Sequence, residues 1–339
     1  MMAENLYGGS LPGRLLWCMV LLQTLLWPGV VLAEWYSDEQ SIMGTRVQVE
    51  LWSENEATAL TAIAAVMQEM HRIDGLLSPY IETSELSRMN REAFDHPVPI
   101  TRETYELLKK SRQVSELTGG AFDMTYASAG HYYDYRAGQI PSDRELTKAL
   151  EAIDYHFVAL NNDPENPAVR YLHQGVYVDL GGIAKGYAVD RCIELLSAAG
   201  FDESMVSAGG DSRILGDRRG KPWTVGIKDP REKGRMAAIL PLENTAVSTS
   251  GDYERFFEKD GVRYHHILDP STGDSAREVR SVTILGPEAT FTDALSTSVF
   301  VMGVKPGLKL VNRLPGIDAI LVDSHGKLHF SADLLQMGN

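Results

Sequence analysis

The sequence has little cysteine, no excess of positive charge and only one long apolar run. Of its two cysteines, Cys18 lies inside that run and Cys192 far beyond it, so a chain that has lost the run cannot form an internal disulfide. Val189, Leu195 and Leu196 fall on one helical face with Cys192, which therefore reads as a core thiol. Lys and Arg number 32 against 46 Asp and Glu, a formal net charge of −14. That balance excludes a general nucleic-acid binder, because phosphate backbones are held by clustered cations. Any phosphate ligand must be met locally. The signatures G-x-G-x-x-G and G-x-x-x-x-G-K-[ST] are absent, which removes support for ordinary Rossmann and P-loop readings. Zinc has no support either, since there is no H-E-x-x-H and no paired-cysteine spacing.

What is present begins with the apolar run itself, Leu15 to Ala33, preceded by Arg14 and ending in small or short side chains. It reads as a secretory signal cleaved after Ala33, or as a retained N-terminal membrane anchor. A lipid-modified Cys18 fits less well because Trp17 precedes it. The remaining residues 34–339 have ordinary globular proportions, no repeat and no linker, which predicts one continuous α+β unit. Arg46–Leu51 alternates like a strand, and Ser53 with Glu56 has capping-box spacing ahead of an amphipathic helix that ends near Ser78-Pro79. A second such helix, through Leu107 and Leu117, should stop at Gly119-Gly120. Ala168–Leu172 and Val176–Leu180 suggest a hairpin. Short β-rich runs from Ser204 to Leu285 predict a largely antiparallel region. Helical spacing returns over Thr292–Met302, followed by a short helix and a final hairpin.

Three segments carry chemistry. Tyr177-Val178-Asp179-Leu180-Gly181-Gly182-Ile183-Ala184-Lys185-Gly186-Tyr187 reads as a strand, a double-glycine turn and a helix start, with free N–H groups and the Lys185 charge together. Lysine is disfavoured at a helix N-terminus, so a bound anion would account for it; a tight turn with a solvated lysine fits the pattern too. Thr292-Asp293-Ala294-Leu295-Ser296-Thr297 puts the Asp293 carboxylate and Thr297 hydroxyl on one face of the helix it opens. Both are hard oxygen donors suited to Mg²⁺, although Asp is also common in a first turn for its own sake. In Tyr264-His265-His266-Ile267-Leu268-Asp269-Pro270, strand alternation sends the two histidines to opposite faces. One can serve a site and the other should lie at the surface.

These segments fall into an ordered set: Met43-Gly44-Thr45, Ser78-Pro79-Tyr80 with Ser84–Asn90, Thr118–Asp123, Asp179–Asp190, Ala208-Gly209-Gly210-Asp211, Ser248–Tyr253, His266–Pro270 with Thr272-Gly273, and Asp293–Thr297. The set resembles the ApbE family of FAD:protein FMN transferases over most of residues 34–339. Two mild departures are Thr292 before the aspartate and Ser207-Ala208 before Gly-Gly-Asp. The resemblance implies a T-fold-related α+β unit of mixed, largely antiparallel sheets with packed helices. It implies FAD, as substrate, against Met43, Tyr80, Ala121, Phe122, Asp123, Asp179, Lys185, His266 and Ile267, with Tyr80 stacked on a flat ring. Mg²⁺ would be held by the Gly182 carbonyl, Asp293 and Thr297. The implied reaction is attack by a Ser or Thr hydroxyl of an acceptor protein on the FMN-side phosphorus, releasing AMP. Lys185 and the Asp293-bound cation would neutralise the diphosphate, and His266 or a nearby carboxylate would take the proton. The acceptor would carry a flavinylation motif in a redox subunit of a membrane ion pump, and the enzyme would act in the periplasm or at the periplasmic face of the inner membrane. An FAD pyrophosphatase and a non-catalytic flavin-binding protein are the alternatives.

Overall fold

The computed structural model describes residues 34–163, 165–232 and 234–337, so the segment read as a signal or anchor lies outside the described residues. The chain starts with a hairpin of β1 (Glu34–Ile42) and β2 (Thr45–Ser53), paired from Glu34 opposite Ser53 to Ile42 opposite Thr45. Met43 and Gly44 make the turn with positive φ at both positions, 54° and 68°, as a tight two-residue hairpin turn requires. Helix α1 (Glu56–Leu77) is capped by Asn55, whose Oδ1 accepts from the Thr58 N–H at 3.0 Å. The box expected at Ser53 and Glu56 does not form, because Ser53 Oγ accepts from the Asn55 N–H instead.

Next come α2 (Glu85–Glu92), β3 (Val98–Pro99) and α3 (Arg102–Thr118), which ends where expected at left-handed Gly119. After α4 (Ala127–Gly130) and α5 (Asp143–Leu150), β4 (Val158–Leu160) and β5 (Ala168–Tyr171) join β3 in a small sheet. The hairpin expected between 168–172 and 176–180 is not there. Residues 176–180 belong to no strand, and their backbone bonds go to side chains and a loop. Asn90 donates Nδ2 to the Val178 carbonyl and accepts the Val178 N–H, both at 2.8 Å, while the Asp179 N–H reaches the Met124 carbonyl at 2.9 Å. One asparagine thus does the work of a neighbouring strand.

Helix α6 (Ala184–Ala198) leads into β6 (Ser204–Ala208) and β7 (Asp211–Leu215). Strands β8 (Trp223–Lys228) and β9 (Met236–Leu242) form a separate ribbon, then β10 (Ala246–Gly251) returns to the main sheet. A second ribbon, β11 (Phe256–Lys259) with β12 (Val262–His265), precedes β13 (Val279–Gly286). The chain closes with α7 (Ala289–Met302), α8 (Val304–Val311), β14 (Asp318–Asp323), β15 (Leu328–Phe330) and α9 (Ala332–Met337). The main sheet has the order β1-β2-β6-β7-β10-β13-β14-β15, with every neighbouring pair antiparallel. This is the α+β, largely antiparallel architecture expected.

Helices α1, α6 and α7 pack side by side against one another and against the sheet, α1 on β1 and β2, α6 on β6 and β7, α7 on β10 and β13. Leu51, Met70, Val189 and Leu196 sit in the core beneath the first two, and Ile284, Leu295 and Phe300 in the core beneath the third. Cys192 is fully buried as expected, and burial pushes its thiol up to about 12, so it is an inert packing group. Two helix starts meet in this layer, and the site is built there.

Candidate active site

Helices α6 and α7 touch because residue 186 has no side chain. A Cβ on Gly186 would lie 2.1 Å from the Ala289 carbonyl oxygen and 2.7 Å from Asp293 Cβ. With the helices this close, the Gly186 N–H, in the first turn of α6, donates to Asp293 Oδ2 at 2.9 Å. Asp293 does not open α7 as expected. The helix starts at Ala289, and its own first N–H groups are taken by Asp190 of α6, which accepts from Ala289 N at 2.9 Å and Thr290 N at 2.8 Å. Asp293 therefore begins the second turn, so its place owes nothing to the usual preference for acid at a helix start.

Lys185 is not left waiting for an anion. Its Nζ is 2.5 Å from Asp211 Oδ2 and 3.4 Å from both Asp293 oxygens. Asp211 and Asp293 are each only 2% exposed. Burial first, then the Asp211 charge, raises the Asp293 carboxyl to about 7, against the pull of Lys185 and the Gly186 N–H. The two carboxylates hold Lys185 protonated above its ordinary value although burial works the other way. The cluster is a half-buried cation shared by two buried acids, with one net negative charge when both acids are ionised.

One turn along α7, the Thr297 hydroxyl is 3.2 Å from Ser250 Oγ and faces Gly182, where a Cβ would lie 3.4 Å from it and 3.3 Å from the Phe122 ring. Gly182, Asp293 and Thr297 thus border the same space. Among the described residues no group of three His, Cys, Asp or Glu side chains could hold a metal. A cation here would rest on one carboxylate and neutral oxygens, completing its shell with water or substrate. That donor set suits Mg²⁺ and does not suit a soft metal.

The space opens into a cleft of about 780 Å³, within the range of small-molecule and cofactor sites. Every residue expected to touch FAD borders it: Met43 from the β1–β2 turn, Tyr80 from the loop after α1, Ala121, Phe122 and Asp123 from the loop after α3, then Asp179, Lys185, His266 and Ile267. Their parts differ. Tyr80 is 80% exposed, a ring free to stack. Asp123 turns its carboxylate into the protein, where it accepts from Thr125 N at 2.7 Å, Thr125 Oγ1 at 2.6 Å and Tyr155 N at 2.9 Å. It shapes the loop and offers the cleft no charge. Asp179 Oδ1 accepts from the Gly181 N–H at 2.6 Å and so tightens the double-glycine turn.

The histidines lie on opposite faces as expected, but His265 is buried and not at the surface. It is 2% exposed, its Nε2 lies 2.7 Å from the Ala276 carbonyl, and its ring packs edge-on against Phe300. His266 faces the cleft, and its Nδ1 is buried with no hydrogen-bond partner among the described residues. Burial, helped by the Arg255 charge, lowers His266 to about 3, and burial lowers His265 too. Both rings stay neutral while the unfolded chain takes up protons below pH about 6.5. Stability should therefore fall as pH drops from about 6.5 toward 3, and His266→Gln should flatten that limb in a pH series of urea midpoints.

Sequence reasoning missed several parts of the cleft. Asp211, which lies outside the cleft lining but pairs with Lys185, and Tyr177 on the cleft wall stood in named segments without a role, and Tyr126, Tyr133, Tyr135 and Arg255 were not singled out. The tyrosines come from two stretches distant in sequence, and Tyr133 and Tyr135 stack with ring centroids 5.8 Å apart. Burial keeps the Tyr126 and Tyr135 phenols neutral.

An α+β fold with an aromatic-walled cleft, and with a lysine and hard oxygen donors gathered where two helices meet, has the parts that a site for a flat-ringed, anionic substrate requires. Comparison with known proteins is specific. The chain belongs to the ApbE family, whose sequence profile matches residues 43–321. It is 33% identical over 317 residues to the FAD:protein FMN transferase of Treponema pallidum, covering 88% of each chain. It is 31% identical over 336 residues to the FAD:protein FMN transferase of Vibrio cholerae, covering 93% of this chain and 97% of that one. Among solved structures, the ApbE protein of Thermotoga maritima superposes with a TM-score of 0.83 at 38% identity, over 90% of this chain and all of that one. The flavin transferase ApbE from Vibrio cholerae gives 0.79 at 28% identity, over 90% and 99%.

Proposed function

We propose that this chain transfers the FMN half of FAD to a serine or threonine hydroxyl of an acceptor protein, in a Mg²⁺-dependent reaction that releases AMP. The observation that carries this reading is the meeting of Gly182, Asp293 and Thr297 with half-buried Lys185 in the same cleft as the exposed Tyr80 ring and the neutral His266. The acceptor oxygen bonds to the FMN-side phosphorus, and the bond from that phosphorus to the bridging oxygen breaks, its electron pair leaving with AMP. His266, neutral and on the cleft wall, or a nearby carboxylate would take the hydroxyl proton. Lys185, kept protonated by Asp211 and Asp293, places a fixed positive charge beside the reacting phosphates. Mg²⁺ on the Gly182 carbonyl, Asp293 and Thr297 would neutralise diphosphate charge and steady the leaving group.

The apolar Leu15–Ala33 segment supports export, and with it a place in the periplasm or on the periplasmic face of the inner membrane. Among the described residues no helix is long and apolar enough to cross a membrane. A redox subunit of a membrane ion pump, bearing a flavinylation motif, is the acceptor this reading assigns. The test incubates the chain with FAD, Mg²⁺ and such a subunit and looks for flavin fluorescence that survives denaturing electrophoresis. Labelled acceptor supports transfer. AMP formed without labelled acceptor would make the chain an FAD pyrophosphatase, and bound FAD with neither product would leave only a flavin-binding protein.

A further inference from the structure

The cleft contains a second cation that the proposed chemistry has not used. Among the described residues its lining includes two Lys or Arg side chains, Lys185 and Arg255. Lys185 is shared between Asp211 and Asp293. Arg255, in the loop between β10 and β11, is exposed, and its guanidinium makes no hydrogen bond or ion pair to any described residue. Nearby arginines behave differently. Arg231 grips Asp252 through two bonds of 2.8 and 2.5 Å, and Arg263 lies 3.7 Å from Asp252 and 2.9 Å from Glu258. Asp252 and Glu258 are spent on those two, and neither the adjacent Glu254 nor Asp179 across the cleft, which feels the Arg255 charge, forms an ion pair with Arg255.

Position makes this unpaired charge useful. Arg255 reaches over the β1–β2 turn, where its Nη2 would lie 3.2 Å from a Cβ on Gly44, so the glycine leaves the guanidinium room. Its main-chain carbonyl accepts from the His266 N–H at 3.2 Å, which ties the loop to the segment just after β12 that presents His266. Charge balance points the same way. Lys185 with ionised Asp211 and Asp293 leaves one negative charge, a diphosphate diester adds about two, and a divalent cation cancels two. Further positive charge is wanted, since the other acids of the lining, Asp74, Asp123, Asp179 and Glu254, supply none, and a guanidinium fork matches phosphate oxygens in shape.

Resting on the flavin-transfer reading, we infer that Arg255 binds the diphosphate of the substrate directly. The test measures equilibrium binding of FAD, ADP and riboflavin to the intact chain and to Arg255→Met and Arg255→Lys, with unfolding midpoints as a folding control. Arg255→Met should weaken FAD and ADP about ten- to a hundredfold and leave riboflavin, which has no phosphate, unchanged. Arg255→Lys should recover part of the loss. Unchanged FAD and ADP affinity in Arg255→Met would overturn the inference, as would an equal loss for riboflavin, which would assign Arg255 to the ring. Should the unaltered chain bind ADP through Arg255 but fail to bind FAD, the flavin reading falls and the diphosphate contact stands.

Discussion

Gly186→Ala should destabilise the protein by about 3 kcal/mol, the upper end of ordinary overpacking costs. In an exposed helix interior, alanine in place of glycine stabilises by up to about 1 kcal/mol. Here the sign reverses because the new methyl would lie 2.1 Å from the Ala289 carbonyl oxygen and 2.6 Å from its carbon. Those are backbone atoms, which no rotamer change can clear. Helices α6 and α7 must move apart, and Asp293 loses its 2.9 Å bond from the Gly186 N–H. Transfer activity should fall with stability. Gly75, near the end of α1, is the matched control, since a Cβ there would meet nothing within 4 Å. Gly75→Ala should leave the thermal midpoint unchanged or raise it by a few degrees, while Gly186→Ala lowers it. Equal midpoints for the two variants would show that α6 and α7 are not held in contact at residue 186.

The same glycine shows how far the sequence could be read. The helix starting after Gly181-Gly182 was legible because glycine, an apolar stripe and Lys185 are local signals. That α7 lies against its first turn was not, because the contact joins residues 107 apart in the chain. Edge strand β1 escaped notice for a related reason. Of its nine residues only Ile42 is buried, so no apolar alternation marks it. The false hairpin at 176–180 shows the converse, since those residues have strand composition yet take their hydrogen bonds from Asn90 and Ser128. His265 and His266 were separable by alternation, but which faces water depends on Phe300 and Ala276, brought in from α7 and from the turn before β13. The aligned motifs located the cleft, and long-range pairing decided what each side chain does in it. Lys185 read as an unmatched charge because Asp211 and Asp293 come from other elements, and Arg255 went unremarked because only the pairing of its neighbours shows that it is left over.

Asp293→Ala should abolish protein-bound flavin, lowering the transfer rate by more than about a hundredfold, the upper end of the cost of losing even an outer-shell partner of a metal site. Asp293 supplies the only carboxylate in the proposed Mg²⁺ set, whose other members, the Gly182 carbonyl and Thr297 hydroxyl, are uncharged. Stability should respond far less than activity. The substitution loses the bond from the Gly186 N–H, but it also removes a buried carboxylate whose ionised form burial and the Asp211 charge disfavour. What remains is Lys185 and Asp211 at 2.5 Å, a neutral pair that still satisfies both groups. Asp211→Asn makes the opposite exchange. With Asp211 neutral, Lys185 has Asp293 as its remaining carboxylate, already 3.4 Å away, and the ammonium then competes with the cation for those oxygens. Its defect should appear as a raised Mg²⁺ requirement, recovered at high Mg²⁺, whereas Asp293→Ala stays inactive at every concentration. Initial rates of acceptor labelling across a Mg²⁺ series, beside thermal midpoints and Mn²⁺ binding by the free protein, separate the two. If Asp293→Ala bound Mn²⁺ normally and regained full rate in excess Mg²⁺, the metal would have to sit elsewhere in the cleft.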